Sequence, residues 1–266
     1  MKYQQIVPGG DGAHYVPYEK RTGNESIAYF TRDLSPEGLQ KIYKRVSGNI
    51  KGKVGIKLHT GEKNGPNIIP REWVKHLVQE ELPDASIIET NTYYEGDRYT
   101  TEAHRETLKV NGWTFCPVDI MDEEGSMTLP VEGGSNLTEN YVGSHFENYD
   151  YYVVLSHFKG HAMAGYGGAI KNISIGIASS EGKAHIHSGG TGGNMWSGEQ
   201  DAFLESMAEA GKSVVDYLDG NILYINVMNR LSVDCDCDGN PAEPDMHDIG
   251  ILASFDPVAV DQACVD

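Results

Sequence analysis

The run Tyr151-Tyr152-Val153-Val154-Leu155 holds no charged group and is typical of a buried strand. It leads directly into residues 156–172, Ser-His-Phe-Lys-Gly-His-Ala-Met-Ala-Gly-Tyr-Gly-Gly-Ala-Ile-Lys-Asn, which contain two histidines, two lysines, an asparagine and four glycines. Ligands of α/β proteins bind where a strand ends in a glycine-rich loop. The stretch therefore predicts a central strand with a candidate site at its carboxyl end.

Strands and helices are predicted to alternate on both sides of this central strand. The predicted strands cover residues 27–31, 53–58, 85–90, 115–121, 127–131, 151–156, 221–228 and 249–254. The predicted helices cover residues 35–46, 70–82, 100–111 and 200–218, and a last one begins at residues 256–257. Thr101 is the predicted N-cap of the third helix. The pattern favours the α/β class, with a mostly parallel or mixed sheet flanked by helices in a layered sandwich.

The length of 266 residues suits one large domain, which we place at residues 26–266. Residues 1–25 are rich in glycine, proline and polar side chains, and they are predicted to form a leader arm. The last predicted helix stops soon after it begins, so we expect the native chain to continue past Asp266.

The composition argues against several classes of partner. The 39 acidic and 21 basic residues give a formal net charge of −18, and a field of that sign repels nucleic acid. No apolar run reaches the ~20 residues of a membrane-spanning helix, and the N-terminus lacks the apolar segment of a secretory signal. We therefore expect a cytoplasmic protein with no nucleic-acid or membrane partner and a small anionic molecule as its ligand. The sequence leaves the oligomeric state open.

The first candidate site is the segment after the central strand. If that segment is extended, His157, Lys159 and His161 lie on one face, because strand side chains alternate. A lysine between two imidazoles suits anion binding, or a base with an electrophilic partner. These three are the predicted catalytic residues.

Ligand binding is predicted for the glycine pair Gly167-Gly168 and for Lys171 and Asn172, which follow it. Inward-pointing backbone amides and a lysine ammonium group together form an anion site. The alternative is that Lys171 is solvated and the glycines serve close packing. His59 lies in a loop at another strand end, and we expect it to face the same crevice.

Two segments carry candidate metal ligands. In an extended segment, His185 and His187 would share a face and could bind one divalent metal. Cys235 and Cys237 lie in an acidic loop at a strand end, and thiolates bind zinc, iron or nickel. The alternatives are exposed or hydrogen-bonded histidines, and an acidic turn with half-buried thiols. The chain has no CxxCxxC run, the usual ligand set of an iron–sulfur cluster.

Five parts of the chain resemble motifs of one known family. They are Leu58-His59-Thr60-Gly61-Glu62, residues 118–125, residues 156–161 with 167–176, Asp234-Cys235-Asp236-Cys237 and residues 248–257. From about Ala28 to its end, the chain is similar to the domain-of-unknown-function family 362, often labelled uncharacterised iron–sulfur centre proteins. The resemblance implies a single α/β domain, a C-terminal segment beyond this chain, and no known reaction. Many relatives carry an inserted ferredoxin-like module with CxxCxxC ligands, which this form lacks.

Two functional hypotheses follow. The first is a metal-dependent enzyme acting on a small anionic molecule, in which the candidate histidines and cysteines bind the metal while Lys159, Lys171 and Asn172 orient the anion. The second is a non-catalytic binding or redox-partner domain with structural thiols.

Overall fold

The computed structural model of the chain describes residues 25–48 and 50–266. Its strands, in chain order, are β1 (Tyr29–Thr31), β2 (Val54–Lys57), β3 (Ser86–Glu89), β4 (Val118–Ile120), β5 (Ser126–Pro130), β6 (Glu139–Gly143), β7 (Tyr151–His157), β8 (Lys159–His161), β9 (Gly165–Gly167), β10 (Ile222–Met228) and β11 (Gly250–Ser254). Its helices are α1 (Pro36–Val46), α2 (Arg71–Glu81), α3 (Thr101–Val110), α4 (Ala169–Ser174), α5 (Ser180–His187), α6 (Gln200–Leu218) and α7 (Pro257–Val265), with a 3-10 helix at Ser144–Asn148.

Seven strands form one mixed sheet in the order β1-β11-β10-β7-β2-β3-β4. Strands β10, β7, β2, β3 and β4 run parallel, whereas β11 is antiparallel to both β10 and β1. The pairs β5–β6 and β8–β9 form separate antiparallel ribbons. The predicted α/β fold, a mostly parallel or mixed sheet flanked by helices, is confirmed.

The order of the strands reverses direction between β2 and β7. From β2 the chain adds β3 and β4 on one side, and it then returns to place β7 and β10 on the other. The carboxyl ends of these strands lie at one edge of the sheet. In open α/β sheets, ligands bind in the crevice at such a point, so the topology directs attention to the ends of β2 and β7.

Strand β7 is buried along its whole length and contributes to both hydrophobic layers. Val153 and Leu155 pack in the layer that includes α1 and α2, whereas Tyr152 and Val154 pack in the layer that includes α4, α6 and α7. This division follows from the alternation of side chains along a strand. The central strand predicted from its apolar run is therefore covered by helices on both faces.

Most predicted helix starts match the structure. The Ser35 hydroxyl accepts from the Gly38 amide at 3.0 Å, and the Asp256 carboxylate accepts from the amides of Val258 and Ala259. The predicted N-cap of the third helix was wrong by one residue. Thr100, which has an extended backbone, accepts from the Ala103 amide at 3.3 Å, so Thr101 already lies inside α3.

The segment with His185 and His187 is a helix and not the extended segment in which the two imidazoles would share a face. The Ser179 hydroxyl accepts from the Gly182 amide at 3.2 Å and starts α5 there. Successive residues of an α-helix are turned by about 100°, so two residues at i and i+2 point in nearly opposite directions. The two imidazoles therefore do not share a face.

Part of the predicted organisation lies beyond what the structure describes. The predicted leader arm over residues 1–25 falls, except for residue 25, outside the described residues. Within the described part of the chain, no helix has the length and apolar character that crossing a membrane requires.

His145 forms a surface cluster with the acidic run at residues 119–124. Its Nδ1 lies 2.9 Å from Asp119 Oδ1, and its Nε2 lies 3.4 Å from Glu124 Oε2. The hydrogen bond that the His145 ring donates to Asp119 is the main reason why the pKa of His145 is raised above 6.5. A raised folded-state pKa stabilises the fold below the unfolded-state pKa, and this stabilisation is lost as the pH rises through the folded-state value.

We expect His145→Gln to lower the free energy of unfolding at pH 6 by about 0.5–1 kcal/mol, and to have almost no effect at pH 9. Urea unfolding at the two pH values measures the difference. His247→Gln, at an exposed histidine, is the matched control. An equal loss at both pH values would show that the His145 charge makes no contribution.

Candidate functional site

A cavity of about 160 Å³ lies at the carboxyl ends of β2, β3 and β7. Its wall includes the charged side chains Lys57, Glu89, Arg98, Lys159, Lys171 and Lys183. An apolar cavity of about 150 Å³ accommodates benzene, so a ligand of roughly five to eight non-hydrogen atoms fits the volume. The cavity lies where the order of the strands reverses direction, and its volume suits a small metabolite.

Lys57 and Glu89 form a buried ion pair at the ends of β2 and β3. Lys57 Nζ lies 2.8 Å from Glu89 Oε2 and donates to the Leu58 carbonyl at 2.7 Å. The Thr60 amide and hydroxyl both donate to Glu89 Oε1 at 2.8 Å. Burial is the largest single effect and acts to raise the pKa of Glu89, but Lys57 together with His59, His104 and Arg98 outweighs it, and the pKa is well below its usual range. The pair therefore stays ionic and ties the two strand ends together.

Arg98 forms a second ion pair beside His59. Its Nη2 and Nε donate to Glu62 Oε1 at 2.5 and 2.9 Å, and its Nη2 also lies 3.5 Å from His59 Nε2. The Gly61 amide donates to His59 Nδ1 at 3.0 Å. Burial, followed by Arg98 and Lys159, lowers the pKa of His59 well below 6.5. His59 lines the cavity as a neutral imidazole.

Asp236 binds both His157 and Lys159. His157 Nδ1 lies 2.8 Å from Asp236 Oδ2, and its Nε2 lies 2.6 Å from the Asn229 carbonyl oxygen. Lys159 Nζ lies 3.1 Å from the same carboxylate oxygen. Burial is the largest single effect and acts to lower the pKa of Lys159, but Asp236 together with Cys235 and Cys237 outweighs it, so the pKa is raised. Two of the three predicted catalytic side chains, His157 and Lys159, are therefore engaged. They anchor the loop that carries Cys235 and Cys237, here called the thiol loop, against the end of β7.

The thiol loop brings Cys235 and Cys237 next to His161. One ligand atom from each of the three residues lies within 4.8 Å of the other two. Cys237 Sγ lies 3.9 Å from His161 Nε2. A hydrogen bond from the Cys237 thiol lowers the pKa of Cys235 to about 5, burial opposes this, and Lys159 and Lys171 assist it. The same hydrogen bond raises the pKa of Cys237, so the pair holds one thiolate and one thiol.

These three residues suit a soft or borderline divalent metal, because two sulfurs and an imidazole are typical zinc ligands. One detail of His161 limits the fit. The amides of Met163 and Ala164 donate to His161 Nδ1 at 3.1 and 3.0 Å, which places the ring proton of the neutral imidazole on Nε2. Nε2 can bind a metal only if this proton leaves and the turn at residues 163–164 moves.

His185 and His187, the other predicted metal ligands, lie apart from this group. The His185 ring packs on Tyr141 with 4.9 Å between centroids, and the His187 ring stacks on Phe203 at 4.5 Å. His187 Nδ1 donates to the Lys183 carbonyl at 2.7 Å. Of the two, only His187 lines the cavity. Both lie on α5, which turns their side chains in different directions, so they do not form a two-histidine metal site.

The predicted cradle of backbone amides after Gly167-Gly168 is occupied by a side chain of this protein. Asp261 accepts from the amides of Ala169 and Ile170 at 2.7 and 2.9 Å. A Cβ at Gly168 would lie 2.4 Å from Asp261 Oδ1, so a glycine is needed for this approach. Gly167 and Gly168 still line the cavity, but the amides that follow them donate to Asp261 at the start of α4 and not to a ligand.

Lys171 and Asn172 follow on α4 with different environments. Asn172 Nδ2 donates to Ser156 Oγ at 3.0 Å and to the Lys57 carbonyl at 3.3 Å, so it links α4 to β7 and β2. Lys171 lines the cavity, and no carboxylate among the described residues forms an ion pair with it. Lys171 is therefore a cation at the cavity wall without a carboxylate partner in that part of the chain, and its charge is one of those that lower the pKa of Cys235.

Sequence reasoning missed four charged residues of the cavity: Lys57, Glu89, Arg98 and Lys183. Lys57 and Glu89 each end a buried strand, and a charged residue at the carboxyl end of an apolar run is the signal that could have identified them. Arg98 lies in a loop and Lys183 lies on a helix, and neither position carries a pattern that distinguishes it from a solvated residue.

A family model described as "Domain of unknown function (DUF362)" matches residues 54–266. No curated protein matches the chain. Among solved structures, a lactate racemase apoprotein from Thermoanaerobacterium thermosaccharolyticum is similar at 16% identity, with a TM-score of 0.45 over 85% of this chain and 55% of that one. A protein from Thermotoga maritima is similar at 15% identity, with a TM-score of 0.49 over 86% of this chain and 57% of that one. The chain thus spans little more than half of either protein.

Proposed function

The chain belongs to the DUF362 family, and from its cavity we propose a metal-dependent enzyme or binding protein that acts on a small anionic molecule. The observation that carries the proposal is that Lys171 has no carboxylate partner in the part of the chain that the structure describes. The cavity cations Lys57, Arg98 and Lys159 each have a carboxylate partner, whereas Lys171 has none among the described residues. An anion in the cavity would pair with Lys171 as these carboxylates pair with the other cations.

Burial strengthens this argument. A charge in a partly desolvated wall is costly unless it is paired, and charge-assisted hydrogen bonds to an anion are stronger than neutral ones. The protein as a whole is strongly acidic, with a formal net charge of −18. A local cation is therefore what an anion needs in order to enter this cavity rather than be repelled.

The metal is the second part of the proposal. His161, Cys235 and Cys237 would hold a zinc, iron or nickel ion at the cavity wall. Such an ion supplies Lewis-acid polarisation of a ligand oxygen. His157 and Lys159 act as positioning residues, because they bind Asp236 between the two cysteines and so keep both sulfurs beside His161.

We expect Lys171→Met to weaken the binding of oxalate and of inorganic phosphate by about tenfold or more, the loss typical of a charge-assisted hydrogen bond. Isothermal titration calorimetry of the full chain measures both affinities. Lys212→Met removes an exposed lysine that pairs with Asp216 on α6, and it is the matched control. Equal affinity in wild type and Lys171→Met, or no binding of either probe, would contradict an anion site at Lys171.

The thiol pair favours one alternative, a non-catalytic redox-partner domain. A thiolate at Cys235 beside a thiol at Cys237 is an arrangement that supports thiol–disulfide exchange. On this alternative, glutathione disulfide converts the two thiols to a disulfide, with release of two glutathione thiols. Mass spectrometry of the reaction at neutral pH distinguishes the roles, because a metal bound to both sulfurs slows that exchange.

A further inference from the structure

The side chain of Lys183 is a buried amine in the cavity wall. It belongs neither to the candidate metal group nor to the ion pairs described above. It projects from α5 and is 8% exposed. Its Nζ lies 2.6 Å from Thr90 Oγ1 and 2.6 Å from the Ala178 carbonyl oxygen. Among the residues that the structure describes, no carboxylate forms an ion pair with it.

The hydrogen bonds of Lys183 match a neutral amine. An ammonium group has three N–H donors, whereas a neutral amine has two donors and one lone pair. The Thr90 hydroxyl donates to the Gly176 carbonyl at 3.1 Å, so it accepts from Lys183, and the Ala178 carbonyl can only accept. Two acceptors satisfy both N–H bonds of a neutral amine and leave its lone pair unused.

The surrounding charges agree with this geometry. Burial is the main reason why the pKa of Lys183 is lowered to about 7. Asp122 and Glu89 oppose the shift, whereas Lys57 and Arg98 add to it. At pH 7 about half of such amines are neutral, compared with about one in 2,500 for an ordinary lysine.

We propose that Lys183 is a nucleophile that forms an imine with the carbonyl carbon of a small anionic aldehyde or ketone, such as a 2-oxo acid. The inference rests on the proposed anion site, because Lys171 in the same wall would bind the carboxylate. A desolvated, neutral lysine is a recognised form of activated amine nucleophile.

The reaction needs no further reactant. The lone pair of Nζ attacks the carbonyl carbon, the carbonyl π pair moves to oxygen, and a proton passes from nitrogen to that oxygen. The resulting carbinolamine loses its hydroxyl group together with the remaining N–H proton as water, which leaves a neutral C=N bond. A 2-oxo acid such as glyoxylate has five non-hydrogen atoms and fits the cavity of about 160 Å³.

Reductive trapping tests the proposal. The full chain is incubated with glyoxylate and sodium cyanoborohydride at pH 7, and peptide mass spectrometry follows the carboxymethyl adduct on each lysine over time. We expect Lys183 to be modified at least about tenfold faster than Lys109, an exposed lysine of the same chain. The adduct at this position should be absent in Lys183→Arg and Lys183→Met.

The comparison within the wild-type chain decides the proposal even if both variants fail to fold. Modification of Lys183 no faster than that of Lys109 would overturn it, whether or not oxalate binding depends on Lys171. Glycolaldehyde, which has no carboxylate, separates the proposed nucleophile at Lys183 from the proposed anion site at Lys171. If Lys183 reacts equally fast with both aldehydes and Lys171→Met has no effect, the nucleophile is supported and the anion site is refuted.

Discussion

Glu89→Gln is expected to lower the free energy of unfolding by about 3–5 kcal/mol, because it leaves the Lys57 ammonium buried without a counter-charge. The side chains of Lys57 and Glu89 are 1% and 3% exposed. The substitution also weakens the acceptor for the amide and hydroxyl of Thr60. Urea unfolding followed by circular dichroism measures the loss.

Two controls make this expectation specific to the buried pair. Glu81→Gln removes a partner of Lys44, a lysine with a 56% exposed side chain, and should cost about 1 kcal/mol or less. The double variant Lys57→Met with Glu89→Gln should recover much of the loss, since no unpaired charge remains and the amide oxygen can still accept from Thr60. A cost for Glu89→Gln no greater than that of Glu81→Gln would show that the buried pair contributes no more than a surface pair.

Cys237→Ser is expected to weaken Zn²⁺ and Co²⁺ binding by about 100-fold or more, which is roughly one ligand's share of the binding free energy at a structural zinc site. Cys235→Ser should have an effect of similar size. Wild-type protein loaded with Co²⁺ should show the near-ultraviolet charge-transfer absorption of thiolate ligands, and both variants should lose much of it. Competition with a chromophoric chelator measures the affinities.

Cys116→Ser is the control for this experiment, because Cys116 is a free, half-buried thiol outside the candidate metal group. The backbone offers a second measurement. If His161 binds the metal through Nε2, the amides of Met163 and Ala164 lose their shared acceptor, and their hydrogen exchange should become faster. Absence of thiolate absorption in the Co²⁺-loaded wild type would remove the metal from the proposed function.

The elements that could be predicted are those whose signal is local. The strand β7 follows from one apolar run, and α6 from a stripe of apolar residues at helical spacing. The starts of α1 and α7 follow from a capping side chain followed by proline. Each of these signals depends on residues that are neighbours in the sequence, so the structure could differ only by a residue or two at the ends.

The errors arose where two local signals competed. The two-histidine metal site was predicted on the condition that the segment with His185 and His187 is extended, because alternate residues then share a face. Ser179, four residues before Lys183, instead caps a helix there. A capping hydroxyl satisfies an amide that would otherwise be unpaired, and this decided the local structure.

By itself, the sequence determined the α/β class, the central strand and the presence of a polar, glycine-rich segment at its carboxyl end. The tertiary structure decided which charges are neutralised. Lys57 meets Glu89 across 32 positions of the chain, and His157 meets Asp236 across 79. Burial and counter-charge together decide whether a lysine is a cation or a neutral amine. Both depend on distant residues, so only the folded chain distinguishes Lys171 from Lys183.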